Sequence, residues 1–552
     1  MILLRAFVFA SASICVARAH TSRGLVSNSS DSYSHPSSTA TTNGSLDGLT
    51  VSTQQGPVMG TLPMSNVRQF LGIPYAQADR WEAPSSPPNR TTTFDASSFG
   101  DSCPQQLNPG NLEFLRLSWG GLSDEEIFVP ESEDCLNLNI WAPSIDRAQN
   151  AAVLVWIYGG SMSFGTSNTP QYNGLNIVRD NDDIIVVSFN YRTNVFGQPN
   201  APQLNGTGKA QNFGFLDVDS AIGWVYQNIA SFGGDPTRIT IFGQSAGAEL
   251  ADAYSYSHPN DTIVKGIIQQ SGSLLGNGAV EAATATQNVL NDTAWNAVAS
   301  AVGCGNTSNS EQFSCMQNVS TSDLATAASN TSLQFSIVFD GVTVFLDTKA
   351  RAASGKFLRV PVIEGTTTNE GDIFIAIAEL VAGGVTLEPA FDILSSIYTL
   401  VSQSLCPASE SIGYRAAAGV SIFRYEYQAI FSNISPMPPL RAYHTSEIPM
   451  VFGTYNISVN ATNLPSTPIE IALSKTMQHA WVAFAQDPQN ALPSMGWPAY
   501  DSNTQTIAAL GNYQNRTGWT FTHSNVTDVL CPNLTLFNGM FEQVEGLLTS
   551  LG

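Results

Sequence analysis

The sequence predicts an α/β protein built on a large, mostly parallel central sheet with helices on both faces. Short apolar runs rich in β-branched residues recur along the chain and are too short for helices. Helical patterns lie between some of them, and one run ends in a Gly-x-Ser-x-Gly turn followed by a helix-forming stretch. Continuous apolar strands are buried on both faces, and when they alternate with helices they form parallel sheets whose chemistry gathers at the strands' carboxyl ends.

From the amino terminus, residues 1–19 read as a signal peptide, with Arg5 ahead of an apolar stretch and small residues Ala17 and Ala19 suited to cleavage after Ala19. Residues 20–48 are Ser/Thr-rich with few large apolar side chains, too few to repay the entropy of ordering, and read as a flexible tail. From Leu49 the composition is globular, without internal repeats, and residues 49–552 are expected to form one catalytic domain. No other segment offers about 18 consecutive apolar residues, and the terminal FEQVEGLLTSLG is too short and polar for an anchor signal. A secreted, extracellular protein without a stable membrane anchor is therefore expected.

The net charge of -22 argues against nucleic acid or an anionic membrane surface as a partner, since either needs a cationic patch. Once Cys15 leaves with the signal peptide, six cysteines remain: Cys103, Cys135, Cys304, Cys315, Cys406 and Cys531. Even parity suits three disulfides in an oxidising compartment, with the pairing left open. Fifteen Asn-x-Ser/Thr acceptors, among them Asn89, Asn205, Asn291, Asn456 and Asn533, fit a secretory route. No Cys/His cluster has metal-ligand spacing, so no metal site is expected.

The expected strands are AVLVWI (152–157), IIVVSF (184–189), RITIF (238–242), VKGIIQQ (264–270) and VPVIEG (360–365), and LDVDSAIGWVYQNI is an expected helix. RITIF must turn sharply into a helix near AGAELADAYSY, where Gly243 and Gly247 allow the close backbone approach of an elbow that presents Ser245 outward. Such a serine is either a nucleophile or part of a glycine-rich turn. A nucleophilic serine needs a base oriented by a carboxylate. His20 and His35 lie in the tail, His258 follows the serine too soon, His479 sits on a helix face, and His523 lies in a polar segment. His444 lies on a loop after the strand-like SIFRYEY and is the favoured base. VIEGTTTNEGDIF offers Glu364, Glu370 and Asp372 as orienting acids, with Glu370 in the loop beyond the strand end. WIYGGSMSFG supplies a glycine-rich turn where oxyanion donors are needed.

The stretches FLGIPYA (70–76), EDCLNLNIW (133–141), WIYGGS (156–161), NYRTNVFG (190–197), FGGDPTRITIFGQSAG (232–247), QQSGS (269–273), NEG (369–371) and YHTSEIPMVFG (443–453) together resemble the type-B carboxylesterase/lipase family, the cholinesterase-like branch of the α/β-hydrolase fold. The resemblance runs from about Leu49 to the carboxyl terminus. It implies Ser245 as nucleophile, Glu370 as triad acid and His444 as base, with oxyanion N–H groups from Gly160, Ser161 and Ala246. It also implies the pairings Cys103–Cys135, Cys304–Cys315 and Cys406–Cys531. Arg80 with Glu133 and Arg192 with Asp217 are implied as structural ion pairs, and Ser271 as a hydrogen-bonding neighbour of the triad. The chain departs from the family in two places. Ser161 stands where a third glycine is usual and narrows the space beside the oxyanion donors. Gln244 stands where a glutamate is common, which removes a charge that would attract a cationic alcohol such as choline.

The implied activity is a secreted serine carboxylic ester hydrolase acting through an acyl-serine, on a small-molecule or lipid ester, without cofactor and with no oligomeric state indicated. One alternative is an interfacial triacylglycerol or sterol-ester lipase. The other is a non-catalytic cholinesterase-like binding protein, which the intact triad disfavours. For the lipase, LEFLRLSW places Leu112, Leu115 and Trp119 at i, i+3, i+7, the apolar face of either a fixed helix or a lid over the site.

Overall fold

IIVVSF forms a strand over Ile184–Phe189 and VKGIIQQ one over Val264–Gln270, each on the bounds expected from the sequence. The computed structural model describes residues 48–147, 149–205, 208, 210–276, 292–331, 333–381, 404–437, 439–457, 462–501, 503–529 and 531. The expected signal peptide, residues 20–47 of the tail, Cys15, His20, His35, Asn291 and Asn533 lie outside the described residues.

In chain order the strands are β1 (Thr50–Thr53), β2 (Gly56–Met59), β3 (Thr61–Met64), β4 (Val67–Pro74), β5 (Phe94–Asp95), β6 (Asn137–Pro143) and β7 (Ala151–Ile157). They continue with β8 (Ile184–Phe189), β9 (Gly234–Gln244), β10 (Val264–Gln270), β11 (Val362–Thr367), β12 (Ile422–Tyr427), β13 (Thr506–Leu510) and β14 (Trp519–His523). Eleven form one sheet in the order β14-β13-β12-β11-β10-β9-β7-β8-β6-β4-β3, while β1, β2 and β5 form a separate small sheet. From β8 through β7, β9, β10, β11 and β12 to β13 all neighbours are parallel. Antiparallel pairs flank this block: β13 with β14 on one side, and β8–β6, β6–β4 and β4–β3 on the other.

Every residue of β7 and β8 is buried, which requires cover on both faces. Helix Ala246–Ser257 packs on β9 and β10, Phe213–Asn228 on β9, Cys406–Ala417 on β11 and β12, and Pro468–Gln486 on β7 and β9. The last begins at a Thr467/Glu470 capping box, which satisfies two otherwise orphaned N–H groups. Beneath the carboxyl end of the sheet, Trp156 packs its ring on Phe242 at 4.7 Å and on Phe452 at 5.0 Å. Strand β7, strand β9 and the helix Ile448–Phe452 that follows His444 thus share one aromatic base.

The disulfides are Cys103–Cys135, Cys304–Cys315 and Cys406–Cys531. Arg192 holds Asp217 through two bonds of 2.9 and 2.8 Å in the interior, and Arg80 pairs with Glu133. Asn89 and Asn456 are exposed, whereas Asn205 is half-buried beside Gln211.

The loop between Cys103 and Cys135 departs from the helical row read in the sequence. Helix Pro109–Leu117, capped by Asn108, stops at Leu117, and Trp119 takes a left-handed φ of 57°. Leu112 and Leu115 share the helix, but Trp119 is turned inward and is only 2% exposed. Its backbone N–H donates to the Tyr443 hydroxyl at 2.7 Å, and its Nε1–H to the Thr445 carbonyl at 3.1 Å. Buried hydrogen bonds that lie off the helix axis outweigh the continuation of the helix.

Candidate active site

β9 runs into Gln244 and then Ser245, whose φ of 56° and ψ of -126° lie outside the regions a serine normally adopts. Neighbours hold this strained turn in place. A Cβ at Gly247 would run into the Ile157 carbonyl, and one at Gly243 into the Gly247 carbonyl, so only glycine lets the strand and helix approach. The Ser245 N–H donates to the Gln270 carbonyl at 2.8 Å. Helix Ala246–Ser257 begins at the next residue, which places its amino-terminal N–H groups beside the hydroxyl.

At the end of β7 the chain passes through Tyr158, Gly159 and Gly160 into Ser161. Gly160 has a φ of 122° and Ser161 one of 54°. Ser163 and Phe164 donate back to the Gly160 carbonyl at 2.8 and 3.1 Å, which closes the turn. The N–H groups of Gly160, Ser161 and Ala246 have no acceptor among the described residues. Ser161 is solvent-exposed at the rim of the cleft.

Beyond β11, Glu370 is fully buried and accepts the Thr367 N–H on Oε1 at 2.8 Å, while its Oε2 lies 2.5 Å from His444 Nδ1. The Asn369 N–H donates to the Ala442 carbonyl at 2.9 Å, and Asn369 bridges to Tyr443, so the loops carrying the carboxylate and the imidazole are paired backbone to backbone. Burial pushes the His444 pKa down, but the Glu370 charge and hydrogen bond, reinforced by Glu447 and Glu249, outweigh it and leave the pKa above its ordinary value. Glu447, raised to about 7 by burial and then by Glu370, accepts from Gln270 Nε2 at 3.0 Å.

Ser245, His444, Gly160, Ser161 and Gln244 line one narrow cleft of about 440 Å³, its mouth included. The other acids and histidines read from the sequence lie elsewhere. Glu364 accepts from Ser411 at 3.0 Å, and Asp372 pairs with Arg441 at 2.7 Å. His258 contacts Asp219 at 3.0 Å, His479 is exposed on its helix, and His523 meets the Thr504 carbonyl at 2.8 Å. Ser271 is buried beside the elbow, but its hydroxyl bonds to none of the three residues. Among the described residues no group of three His, Cys, Asp or Glu side chains could hold a metal ion.

Apart from Trp119, sequence reasoning did not find the aromatic walls. Phe114, Trp119, Phe164, Tyr172 and Phe374 surround the cleft, with Phe114 5.6 Å from Phe164 and Phe374 5.4 Å from the His444 ring. Phe374 lies four residues after Glu370, a spacing that could have signalled it. Phe114 and Trp119 come from the Cys103–Cys135 segment, and Phe164 and Tyr172 from the connection between β7 and β8.

A model of the carboxylesterase family matches residues 47–386 and 392–526. The chain is 36% identical over 502 residues to a chlorogenic acid esterase of Aspergillus niger, covering 85% of this chain and 91% of that one. It is 34% identical over 472 residues to a secreted lipase 5 of Gibberella zeae, covering 80% and 85%. Among solved structures, a PNB esterase superposes with a TM-score of 0.69 at 26% identity, covering 87% of this chain and 98% of that one. The large mixed sheet with its strand-to-helix elbow is the α/β-hydrolase fold, and the chain belongs to the carboxylesterase family as a carboxylic ester hydrolase.

Proposed function

We propose that the protein is a secreted serine esterase in which Ser245 is the nucleophile, His444 the base and Glu370 the orienting acid. The observation that carries this reading is the convergence of the Glu370–His444 pair and the Ser245 elbow on one cleft. Glu370 fixes the Nδ1–H tautomer of the imidazole and leaves the Nε2 lone pair toward the cleft. Ser245 Oγ attacks the ester carbonyl as His444 Nε2 takes its proton, and the oxyanion rests on the N–H groups of Gly160, Ser161 and Ala246. The imidazolium protonates the leaving alcohol, an acyl-serine remains, and His444 then activates water to release the acid.

Rings from Phe114, Phe164 and Phe374 make the acyl and alcohol walls flat and apolar, which suits a planar aromatic ester of modest size. The relative named chlorogenic acid esterase supports this choice. Gln244 puts no carboxylate at the position next to the serine that could attract a cationic alcohol. Secretion is supported by the leader-like residues 1–19 and the name of the secreted lipase, and Asn89 and Asn456 are proposed as glycan sites. That same lipase favours a second reading, a lipid ester taken from an emulsion. A comparison of kcat/KM on methyl hydroxycinnamates, p-nitrophenyl esters of rising acyl length and emulsified triglyceride separates the two. The methyl hydroxycinnamate should lead long-chain substrates by roughly tenfold or more, about 1.4 kcal/mol of differential binding. Preference for emulsified long-chain triglyceride would overturn that choice.

A further inference from the structure

The base already has a hydrogen-bond partner at the atom it must use, and that partner is not the serine. Gln244 Nε2 lies 3.1 Å from His444 Nε2 in a buried setting. Glu370 accepts at Nδ1, so the neutral ring carries its proton there and offers a bare lone pair at Nε2. The group facing that lone pair must donate, which sets the carboxamide with its NH₂ toward His444. Its Oε1 end lies toward Gly159, in the oxyanion loop: a Cβ built on Gly159 would stand 3.1 Å from it. The amide therefore spans from the oxyanion loop to the base, beside Ser245.

We propose that Gln244 is a positioning residue that occupies the His444 lone pair in the resting enzyme, locks the neutral tautomer, and yields Nε2 to Ser245 when an ester enters. A carboxamide suits this exchange because it carries both a donor and an acceptor. Beside the neutral ring it donates. Once His444 has taken the Ser245 proton, N–H would face N–H, and the amide turns to present Oε1 or withdraws. A carboxylate at this position could only accept, and would favour the imidazolium at all times.

The charged and titratable groups around the ring come from different elements: Glu370 after β11, Glu447 just after His444, Glu249 on the helix that follows Ser245, and the Tyr172 phenol across the cleft. None is cationic, and Gln244 is the neighbour whose donor meets Nε2. The inference rests on Ser245 and His444 being nucleophile and base, and its test reads the ring itself rather than turnover.

Histidine-¹⁵N-labelled protein is compared as wild type, Ser245→Ala and the double variant Ser245→Ala/Gln244→Met, with the His444 Nε2 resonance followed at a pH where the ring is neutral. The expected result is the same hydrogen-bonded resonance in wild type and Ser245→Ala, and a move to the unbonded position in the double variant. A shift to the unbonded position in Ser245→Ala alone would mean that the serine holds the lone pair, and an unshifted double variant would mean that something else does; either overturns the proposal. As a second measurement, Gln244→Glu should raise the midpoint of the acid limb of kcat/KM by about one pH unit or more. An unmoved limb in a folded variant also overturns it. Failure of the underlying assignment would show separately, as a Ser245→Ala enzyme that still turns over ester.

Discussion

The backbone N–H of Trp119 donates to the Tyr443 hydroxyl at 2.7 Å, which fastens the Cys103–Cys135 loop to the residue just before His444. The Trp119 indole N–H reaches the Thr445 carbonyl, so one residue is bonded to both chain neighbours of His444. A lid that rolled outward would break both bonds and loosen the base it uncovers.

Activity should therefore rise by ordinary saturation as a short-chain triglyceride passes its solubility limit, with no jump at the interface. Trp119→Phe, which keeps a ring and loses the indole donor, should lower kcat by about 3- to 10-fold, the scale of one buried hydrogen bond. Steady-state kinetics with soluble and emulsified tributyrin check both statements. A sharp jump at the limit would restore the lid.

Replacing Ser245 or His444 by alanine should reduce kcat on a short aryl ester by roughly 10⁴- to 10⁶-fold while the thermal transition persists. Residual turnover within tenfold of wild type in either variant would contradict the assignment.

Glu364 gives a pH dependence of stability. Burial, opposed by Arg415 and aided by Asp252, raises its pKa from 4.5 to about 8. Between those values the folded state holds a proton that the unfolded state has released, so this group's contribution falls as pH rises from about 4.5 to about 8, by about 1.4 kcal/mol per unit of full proton difference. The urea midpoint should fall across this window, and Glu364→Gln should flatten the fall. An identical slope in wild type and variant would contradict it.

Cys406 and Cys531 are 125 residues apart, against 11 for Cys304 and Cys315. In the chain-entropy model the long loop constrains the unfolded chain by about 5 kcal/mol and the short one by about 3 kcal/mol. Cys406→Ser/Cys531→Ser should thus lower the thermal midpoint more than Cys304→Ser/Cys315→Ser in parallel melts. Equal losses would mean that local packing dominates.

Where one local requirement sets a segment, its structure is legible in the sequence. IIVVSF and VKGIIQQ form strands on the bounds expected from the sequence, and the elbow is written in Gly243 and Gly247 because no side chain fits there. His444 could be separated from five other histidines because it alone follows a strand on a loop. Trp119 could not be placed, since its helical spacing was overridden by partners at Tyr443 and Thr445, more than 300 positions away. Nor did any short-range pattern disclose that Gln244 would turn its amide to the histidine rather than to solvent. Strands β1, β2, β3 and β5 also escaped the reading, being short and partly exposed, without the unbroken apolar run that marks β7 or β8.

The parallel order of the sheet bears on when the enzyme comes into being. Ser245 follows β9, Glu370 follows β11, and His444 follows β12, which in turn pairs with β13 near the end of the described chain. Parallel neighbours cannot pair until the crossover between them has been made, and such long-range closures are slow. With Ser245 as the proposed nucleophile and His444 as its proposed base, a chain leaving the ribosome therefore carries the serine long before the histidine that would ionise it. On the proposed roles, turnover has to await the synthesis of His444, so a chain that ends before that residue carries no competent triad.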